Sequence, residues 1–172
     1  HVLHNKRNVI CCEDVELAPS IKAYITEQIV KSSAPNVVFH AACLVRANKG
    51  IHISGRPGAG KTTLALRLAE SGFEYSADDI VLIAPDGSAT GVPFAPAVKS
   101  GAWEIVKQFR PDLGDAFTHR RRDGKRVRYL SPTHIAPPGR YPVGCIIFIK
   151  RASGPPKLQP LAPVVAMRRL MA

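Results

Sequence analysis

The sequence predicts an α/β fold built around a phosphate-binding loop, and three observations support this prediction. A glycine-rich loop at residues 55–63 stands between a short β-rich segment and a helical one. A second strand pattern follows the helix and ends in two adjacent aspartates. Later, a continuous apolar run over 143–149 is typical of a central strand. We therefore expect a mixed β-sheet with flanking helices.

Length and composition predict one domain over residues 1–172. A chain of 172 residues can bury one core, and its 45% apolar and 22% charged content is typical of a globular protein. No apolar run approaches the roughly 18 residues needed to cross a membrane, so we expect no membrane partner. The first residue is not Met, which is typical of a piece of a longer protein truncated at one or both ends.

Charge and cysteine content bear on partners and compartment. The net charge of +11 predicts an anionic partner, for which nucleotide phosphates account only in part. Four cysteines without a C-x-x-C pair indicate reduced thiols and a cytoplasmic location.

The loop fits the pattern G-x-x-x-x-G-K-[ST], filled by Gly55, Gly60, Lys61 and Thr62. Its glycines let backbone N–H groups converge on phosphate oxygens, and the following helix directs its positive dipole end at the same anion. Lys61 is predicted to reach the β- and γ-phosphates, and Thr62 to bind Mg²⁺. The residues predicted to bind ATP are Gly55, Arg56, Pro57, Gly58, Ala59, Gly60, Lys61, Thr62 and Thr63.

Before the loop, we expect a helix over Ser20–Lys31, with Pro19 in its first turn. A β-rich run over Val37–Val45 is predicted to form a hairpin with Ile51–Ser54, through a turn at residues 48–50. His40 is the exception in the first strand, and taken locally it is typical of a core histidine.

After the loop, the predicted elements alternate between helix, strands and loops. The proline-marked loops are placed at 92–99 and 132–142. The remaining predictions are a helix at Thr62–Ala69, strands at Phe73–Ala77 and Ile80–Ile83 with a turn at 85–88, a short helix at Trp103–Phe109, a central strand at Val143–Ile149 and a terminal helix at Val164–Met171.

A basic tract between Arg120 and Arg128 contains six cationic residues around Asp123-Gly124. The Asp-Gly pair predicts a hairpin tip, with residues 127–130 as the returning strand. A solvated surface and a docking site for an acidic peptide both stay open as interpretations. Nucleic acid is disfavoured because the tract contains no aromatic side chain for stacking.

The aspartate pair Asp78-Asp79 is the second feature that predicts chemistry. If the strand before it runs parallel to the strand before the phosphate loop, both carboxyl ends reach the same edge of the sheet. Phosphoryl transfer uses one carboxylate on the metal and one on the attacking hydroxyl. The alternative is an exposed turn between two strands.

Three of these motifs, in this order, resemble the HPr kinase/phosphorylase family: Phe39-His40-Ala41-Ala42, the loop Gly55–Thr62, and Ala77-Asp78-Asp79. The resemblance is clear over residues 37–83. It implies a phosphoenolpyruvate-carboxykinase-like core that transfers phosphate to a serine hydroxyl of a protein. The family's Glu-x-Arg-Gly stretch is not found, and the later part of the chain looks more like shorter HPr-kinase-related proteins.

By this resemblance, Asp78 is the catalytic base, Asp79 a metal ligand with Thr62, and His40 a catalytic neighbour of the aspartates, alongside Lys61. The predicted function is an ATP- and Mg²⁺-dependent kinase acting on a protein or peptide, an acidic one being a candidate. A small-molecule kinase of the same fold and a non-catalytic, nucleotide-gated binding module stay open as alternatives, as does a homo-oligomer.

Overall fold

The computed structural model describes residues 2–4 and 7–170. Two 3₁₀ turns, at Ser100–Ala102 and Pro111–Gly114, accompany the regular elements. In chain order these are β1 (Val2–His4), β2 (Arg7–Ile10), α1 (Asp14–Ser32), β3 (Val37–Phe39), β4 (Ala42–Arg46), β5 (Lys49–Ser54), α2 (Lys61–Ala69), β6 (Glu74–Ala77), β7 (Val81–Ile83), β8 (Ser88–Gly91), β9 (Ala97–Lys99), α3 (Trp103–Lys107), β10 (His119–Arg120), β11 (Arg126–Tyr129), β12 (Tyr141–Phe148) and α4 (Pro163–Leu170).

A seven-stranded mixed sheet forms the centre of the fold and confirms the predicted α/β class. Its strand order is β3-β7-β8-β12-β5-β4-β6. Strands β12 and β5 pair in parallel, and every other neighbouring pair in this sheet is antiparallel. The prediction that the late apolar run forms a central strand is confirmed, because β12 lies between β8 and β5.

The predicted strand over 37–45 is wrong as one element, because the chain breaks at His40 and Ala41. Strand β3 pairs with β7 at one end of the sheet, whereas β4 pairs with β5 and β6 near the other end. The chain makes a second such crossing between β6 and β7, at residues 78–80. Both crossings carry predicted site residues.

The β4–β5 hairpin is confirmed, but its turn lies earlier than predicted. Ala47 and Asn48 form it with φ of 49° and 57°. Positive φ at both residues is typical of two-residue turns, because it matches the twist of the flanking strands. Gly50 belongs to the strand instead. A Cβ at Gly50 would lie 2.9 Å from Nε2 of His52, so the glycine makes room for that ring.

Helix α1 begins six residues before its predicted start, so Pro19 lies inside the helix rather than in its first turn. Asp14 and Glu16 in the first turn stabilise the positive end of the helix dipole there, which compensates in part for the hydrogen bond that Pro19 cannot donate. The prediction placed the start of the helix too late because proline is typical of a first helical turn.

A three-stranded antiparallel sheet, in the order β10-β11-β9, lies beside the main sheet. The predicted hairpin with Gly124 at its tip is confirmed, and φ of Gly124 is 76°. The prediction of a loop over the whole segment 92–99 is wrong at its end, because Ala97–Lys99 forms a strand that pairs with Val127–Tyr129. Strand β9 is stabilised by its hydrogen bonds to β11, which is distant in sequence.

Helix α2 packs between the two sheets and thereby fixes the loop that precedes it. Its Ala65 and Ala69 contact Ala42, Leu44, Ile53 and Tyr75 of the main sheet in one buried cluster. Leu66, on another face, belongs to a second cluster with Val98, Val106, Leu113 and Leu130. Both clusters hold fully buried side chains, so the helix has little freedom to shift.

The other predicted elements match the structure to within one or two residues where it describes them. The short helix ends at Lys107 rather than Phe109 because its last residues give way to a turn. The β1–β2 hairpin was not predicted, and Met171 of the predicted terminal helix lies outside the described residues. Within 2–4 and 7–170, no helix has the length and apolar character to cross a membrane.

Candidate active site

The predicted phosphate-binding loop connects β5 to α2 and has the backbone that its glycines permit. Gly58 and Gly60 have φ of 81° and 108°, which side chains disfavour. A Cβ at Gly55 would lie 2.7 Å from the carbonyl oxygen of Ile149, so the backbone after β12 leaves no room for a larger residue. No side chain caps the N-terminus of α2. Its first backbone N–H groups are therefore suited to an anion.

Lys61 is the first residue of α2 and is only 8% exposed. Its ammonium group donates a hydrogen bond of 2.8 Å to the carbonyl oxygen of Gly55 and so folds back over the loop. Burial lowers the pKa of Lys61, and the positive charge of Lys99 lowers it further, against the opposing effect of Asp78 and Asp79. An anion beside Lys61 would favour the charged form of the side chain and so raise its pKa.

The two aspartates follow β6 where the strand ends, as predicted. Strand β6 is antiparallel to β4, which is antiparallel to β5, so β6 runs in the same direction as β5. Their carboxyl ends therefore reach the same edge of the sheet. Residues 78 and 79 form a bend rather than a strand, which lets both carboxylates face one cavity.

Asp78 is buried, with 2% of its surface exposed. Its Oδ2 accepts a hydrogen bond of 3.0 Å from the Thr62 hydroxyl and one of 3.3 Å from the N–H of Ala97. Its Oδ1 has no partner among the described residues. Burial and the negative charge of Asp79 raise the pKa of Asp78 to about 7, although Lys22, Thr62 and Ala97 act in the other direction.

Asp79 has a different environment, dominated by an ion pair with Lys22 of α1. Burial would raise the pKa of Asp79, but the charge and hydrogen bond of Lys22, with His40 and Arg121, hold it below its ordinary value. The surroundings thus shift the pKa values of the two adjacent carboxylates in opposite directions, which is how enzymes separate the roles of paired acids.

His40 lies at the crossing between β3 and β4 and is exposed. Its Nδ1 is 2.9 Å from the carbonyl oxygen of Asp79. Because a carbonyl only accepts hydrogen bonds, Nδ1 is the nitrogen that carries the hydrogen. His40 is therefore not the core histidine that its local sequence suggests; the resemblance-based placement beside the aspartates agrees with the structure.

These groups face one cavity of about 770 Å³, formed between α1, the phosphate loop, the crossings and the hairpin β10–β11. Of the predicted site residues, Gly55, Arg56 and Ala59 do not line it. Those that do are His40, Pro57, Gly58, Gly60, Lys61, Thr62, Thr63, Asp78 and Asp79. A smaller cavity of about 390 Å³ near β7 and β8 contains none of the predicted site residues.

The cavity also contains residues that sequence reasoning missed. Lys22 and Ser20 come from α1, a helix predicted only to pack on the core. Lys99 comes from β9, in a segment predicted as loop, and Tyr129 and Arg151 complete the wall. The alternation in Ala97-Val98-Lys99 was a signal that Lys99 faces away from the core, because only the middle residue is large and apolar. We find no comparable local signal for Lys22.

Most of the basic tract has structural partners. Arg120 contacts Glu13, which directly precedes α1, and Glu16 in its first turn, at 2.8 and 3.0 Å, and this fastens the hairpin to that helix. Arg128 donates to the carbonyl oxygens of Leu113 and Gly114 and lies 4.4 Å from the ring of Trp103. Arg121 and Arg122 are the members of the tract that line the cavity. The tract therefore divides into residues that are engaged within the fold and two arginines that face the cavity.

The oxygen donors present fit Mg²⁺. Thr62 supplies a hydroxyl, Asp78 and Asp79 supply carboxylates, and the unpartnered Oδ1 of Asp78 is buried beside the cavity. No group of three or more His, Cys, Asp or Glu side chains that could enclose a metal occurs in the described part of the chain. Mg²⁺ does not need one, since one or two carboxylates and substrate phosphates usually hold it.

Comparison with known proteins identifies relatives of one kind. The HPr kinase/phosphorylase of Listeria welshimeri is 31% identical over 85 residues, which is 49% of this chain and 27% of the relative. That of Nitrosomonas europaea is 25% identical over 133 residues, 75% of this chain and 41% of the relative. The chain thus spans less than half the length of these relatives. No protein-family model matches it.

Among solved structures, the Hpr(Ser) kinase/phosphatase of Coxiella burnetii is 26% identical, with a TM-score of 0.25. The match covers 31% of this chain and 40% of the other.

Proposed function

Since this chain resembles the HPr kinase/phosphorylases, as its sequence predicted, we propose that it is an ATP- and Mg²⁺-dependent kinase that transfers the γ-phosphate to a serine-type hydroxyl of a protein or peptide. One observation carries the proposal. The phosphate loop and the aspartates share a cavity, where the hydroxyl of Thr62 bonds to the carboxylate of Asp78 at 3.0 Å. Nucleotide binding with Mg²⁺ accounts for one carboxylate beside the loop, whereas phosphoryl transfer uses a second one on the attacking hydroxyl, and the cavity contains two.

In this proposal the loop and Lys61 hold the triphosphate. Backbone N–H groups from Gly58 onward surround the phosphate oxygens, and Lys61 leaves the carbonyl of Gly55 to neutralise the β- and γ-phosphates. Burial and the charge of Lys99 lower the pKa of Lys61, and phosphates beside it would favour its charged form.

Asp78 is the proposed base and Asp79 a proposed metal ligand together with Thr62. The unpartnered Oδ1 of Asp78 is available to accept the proton of the attacking hydroxyl, while its Oδ2 stays fixed by Thr62 and Ala97. When bound, Mg²⁺ neutralises charge on the phosphate oxygens. Asp79, held ionised by its surroundings, is suited to a cation.

His40 acts in this proposal through Asp79. Its Nδ1–H donates to the Asp79 carbonyl oxygen at 2.9 Å, which fixes the peptide bond that follows the second carboxylate. As an exposed ring at the cavity wall, it leaves Nε2 free to face an incoming acceptor. We therefore assign it a positioning role beside the reacting groups.

The acceptor is proposed to be a protein or peptide, because the relatives are named for a protein substrate, HPr. An acidic acceptor fits the outer wall of the cavity, where Arg121, Arg122 and Arg151 are exposed or half-buried. The alternative of a binding module that uses the whole basic tract is weakened, because Arg120 and Arg128 are engaged within the fold.

The proposal is tested with Asp78→Asn, which keeps the shape of the side chain and removes its basicity. We expect the variant to bind ATP–Mg²⁺ within about threefold of the parent, measured by calorimetry, and to lose at least about 100-fold in phosphate transfer. Transfer is measured with labelled ATP and a lysate of the source cell, followed by phosphopeptide mass spectrometry.

The matched control is Asp115→Asn, an exposed aspartate outside the cavity, which should retain full activity. Absence of ATP binding by the parent chain would reject the proposal, and so would full activity of Asp78→Asn.

A further inference from the structure

Lys99 is a cation in the cavity that the proposed function does not use. It is the last residue of β9, a strand whose side chains alternate between two environments. Val98 is 1% exposed and packs with Leu66 and Val106 in the core. The side chains of Ala97 and Lys99 therefore point to the opposite side, and all three residues of the strand line the cavity.

The position of Lys99 is fixed by contacts on each side of it. In the sheet, Lys99 pairs with Val127, and Ala97 pairs with Tyr129. The N–H of Ala97 donates to Oδ2 of Asp78 at 3.3 Å, which ties the strand to the carboxylate. The indole of Trp103 donates to the carbonyl of Val98 at 3.0 Å. Lys99 thus extends from a rigid element.

The side chain of Lys99 has no hydrogen bond or ion pair within residues 2–4 and 7–170, whereas Lys22 in the same cavity is paired with Asp79. It is close enough to Lys61 for the two charges to repel each other. Two lysines beside the uncapped N-terminus of α2 concentrate positive charge at one place, which the nearby carboxylates Asp78 and Asp79 offset only in part, since the pKa of Lys61 remains lowered.

We infer that Lys99 is a second polyphosphate-binding residue, which together with Lys61 recognises the β- and γ-phosphates of a nucleoside triphosphate. This inference rests on the proposed nucleotide binding and extends it to specificity. One lysine can bind one phosphate group, whereas two lysines on separate elements favour a ligand with several linked phosphates. The site should therefore discriminate strongly between nucleoside triphosphates and monophosphates.

Calorimetry on Lys99→Met with ATP, AMP and inorganic tripolyphosphate tests the inference. We expect the variant to bind ATP and tripolyphosphate about tenfold more weakly than the parent, and AMP equally well. Lys99→Arg should restore binding to within about threefold. The charge-matched control is Lys107→Met, at a lysine that pairs with Glu104 on the surface and should not alter binding.

A second measurement needs no variant. In the parent, ATP should protect Lys99 and Lys61 from acetylation, read out by mass spectrometry, and leave Lys107 as reactive as before. If Lys99→Met fails to fold, this protection decides the matter, and unchanged reactivity of Lys99 would overturn the inference.

The outcomes separate this inference from the proposed function. If Lys99→Met binds ATP as tightly as the parent, the inference fails and the kinase proposal stands. If binding depends on Lys99 but no hydroxyl is ever phosphorylated, the kinase proposal fails and the inference stands. A parent that binds neither ATP nor tripolyphosphate overturns both.

Discussion

His52 is a fully buried residue in β5, and neither of its ring nitrogens has a hydrogen-bond partner among the described residues. Its ring lies 6.3 Å from that of Phe39 and against the backbone of Gly50. Burial lowers the pKa of His52. The ring therefore binds a proton less readily in the folded protein than in the unfolded chain, where it is protonated below about pH 6.5.

This difference predicts that acid destabilises the fold through His52. As the pH falls below about 6.5, the unfolded chain binds a proton that the folded chain does not, so the free energy of unfolding decreases by up to about 1.4 kcal/mol per pH unit. His52→Leu should remove this dependence. The measurement is denaturant unfolding at pH 7.5 and 5.5 for the parent and the variant.

His134, an exposed histidine, offers the control, because His134→Leu should keep the parent's pH dependence. An unchanged pH dependence in His52→Leu would mean that other groups cause the acid sensitivity.

Residue identities were the most predictable part of the site. The phosphate loop and the aspartate pair carry dense local signals, because backbone geometry and metal chemistry restrict the residue types at fixed spacing. Histidines were less predictable. His40 and His52 both occur in β-rich stretches, and the one that lines the cavity was distinguished by the family resemblance rather than by its neighbours.

Helix α1 shows how an element far from the motifs in sequence enters the site. Its Lys22 pairs with Asp79, and the same ammonium lies 5.5 and 6.0 Å from the rings of Phe94 and Tyr129. Arg120 fastens the hairpin to the first turn of the helix. The helix therefore places a fixed cation on the carboxylate for which we propose a metal.

Lys22 and a metal ion should compete for Asp79. We expect Lys22→Met to bind Mg²⁺ about fivefold more tightly than the parent, a change of about 1 kcal/mol, since Asp79 is partly exposed and the ion pair is screened. Calorimetric titration of Mg²⁺ into protein saturated with a non-hydrolysable ATP analogue measures this.

The control for this substitution is Lys31→Met, on the same helix but paired with Glu27 at the surface. It should leave Mg²⁺ affinity unchanged. Equal or weaker Mg²⁺ binding by Lys22→Met would show that Asp79 does not bind the metal.

Elements were predicted where their own sequence determines them and missed where a distant partner does. Strand β12 and helix α2 have strong local patterns, and both were found. Strand β9 exists because β11 supplies its hydrogen bonds, and the break at His40 exists because β3 and β4 join different parts of the sheet. Such pairing depends on contacts between residues far apart in sequence, which no local pattern contains.

Positive charge, at the scale of the whole molecule, is concentrated at the cavity as well as spread over the surface. The chain has a net charge of +11. The cations that line the cavity outnumber its carboxylates, Asp78, Asp79 and Asp123. The cations are Lys22, Lys61, Lys99, Arg121, Arg122 and Arg151. Low-dielectric walls focus such a field and attract an acidic partner toward the opening.

A comparison of two double variants with the same net charge separates focused charge from total charge. Arg121→Gln with Arg122→Gln changes the cavity, whereas Lys125→Gln with Arg126→Gln changes the same hairpin outside it. At low salt, we expect the cavity variant to associate about tenfold more slowly with a fluorescent serine peptide flanked by glutamates, measured by stopped flow. The outer variant should stay within about twofold of the parent.

Salt provides the second criterion, because screening acts on the same field. The association rate of the parent and the outer variant should fall steeply between low and high salt, and that of the cavity variant should change little. If both double variants slow association equally, net charge alone attracts the peptide and the cavity arginines have no special role. If neither variant does, the acidic acceptor has to be abandoned, while nucleotide binding through Lys61 and Lys99 is unaffected.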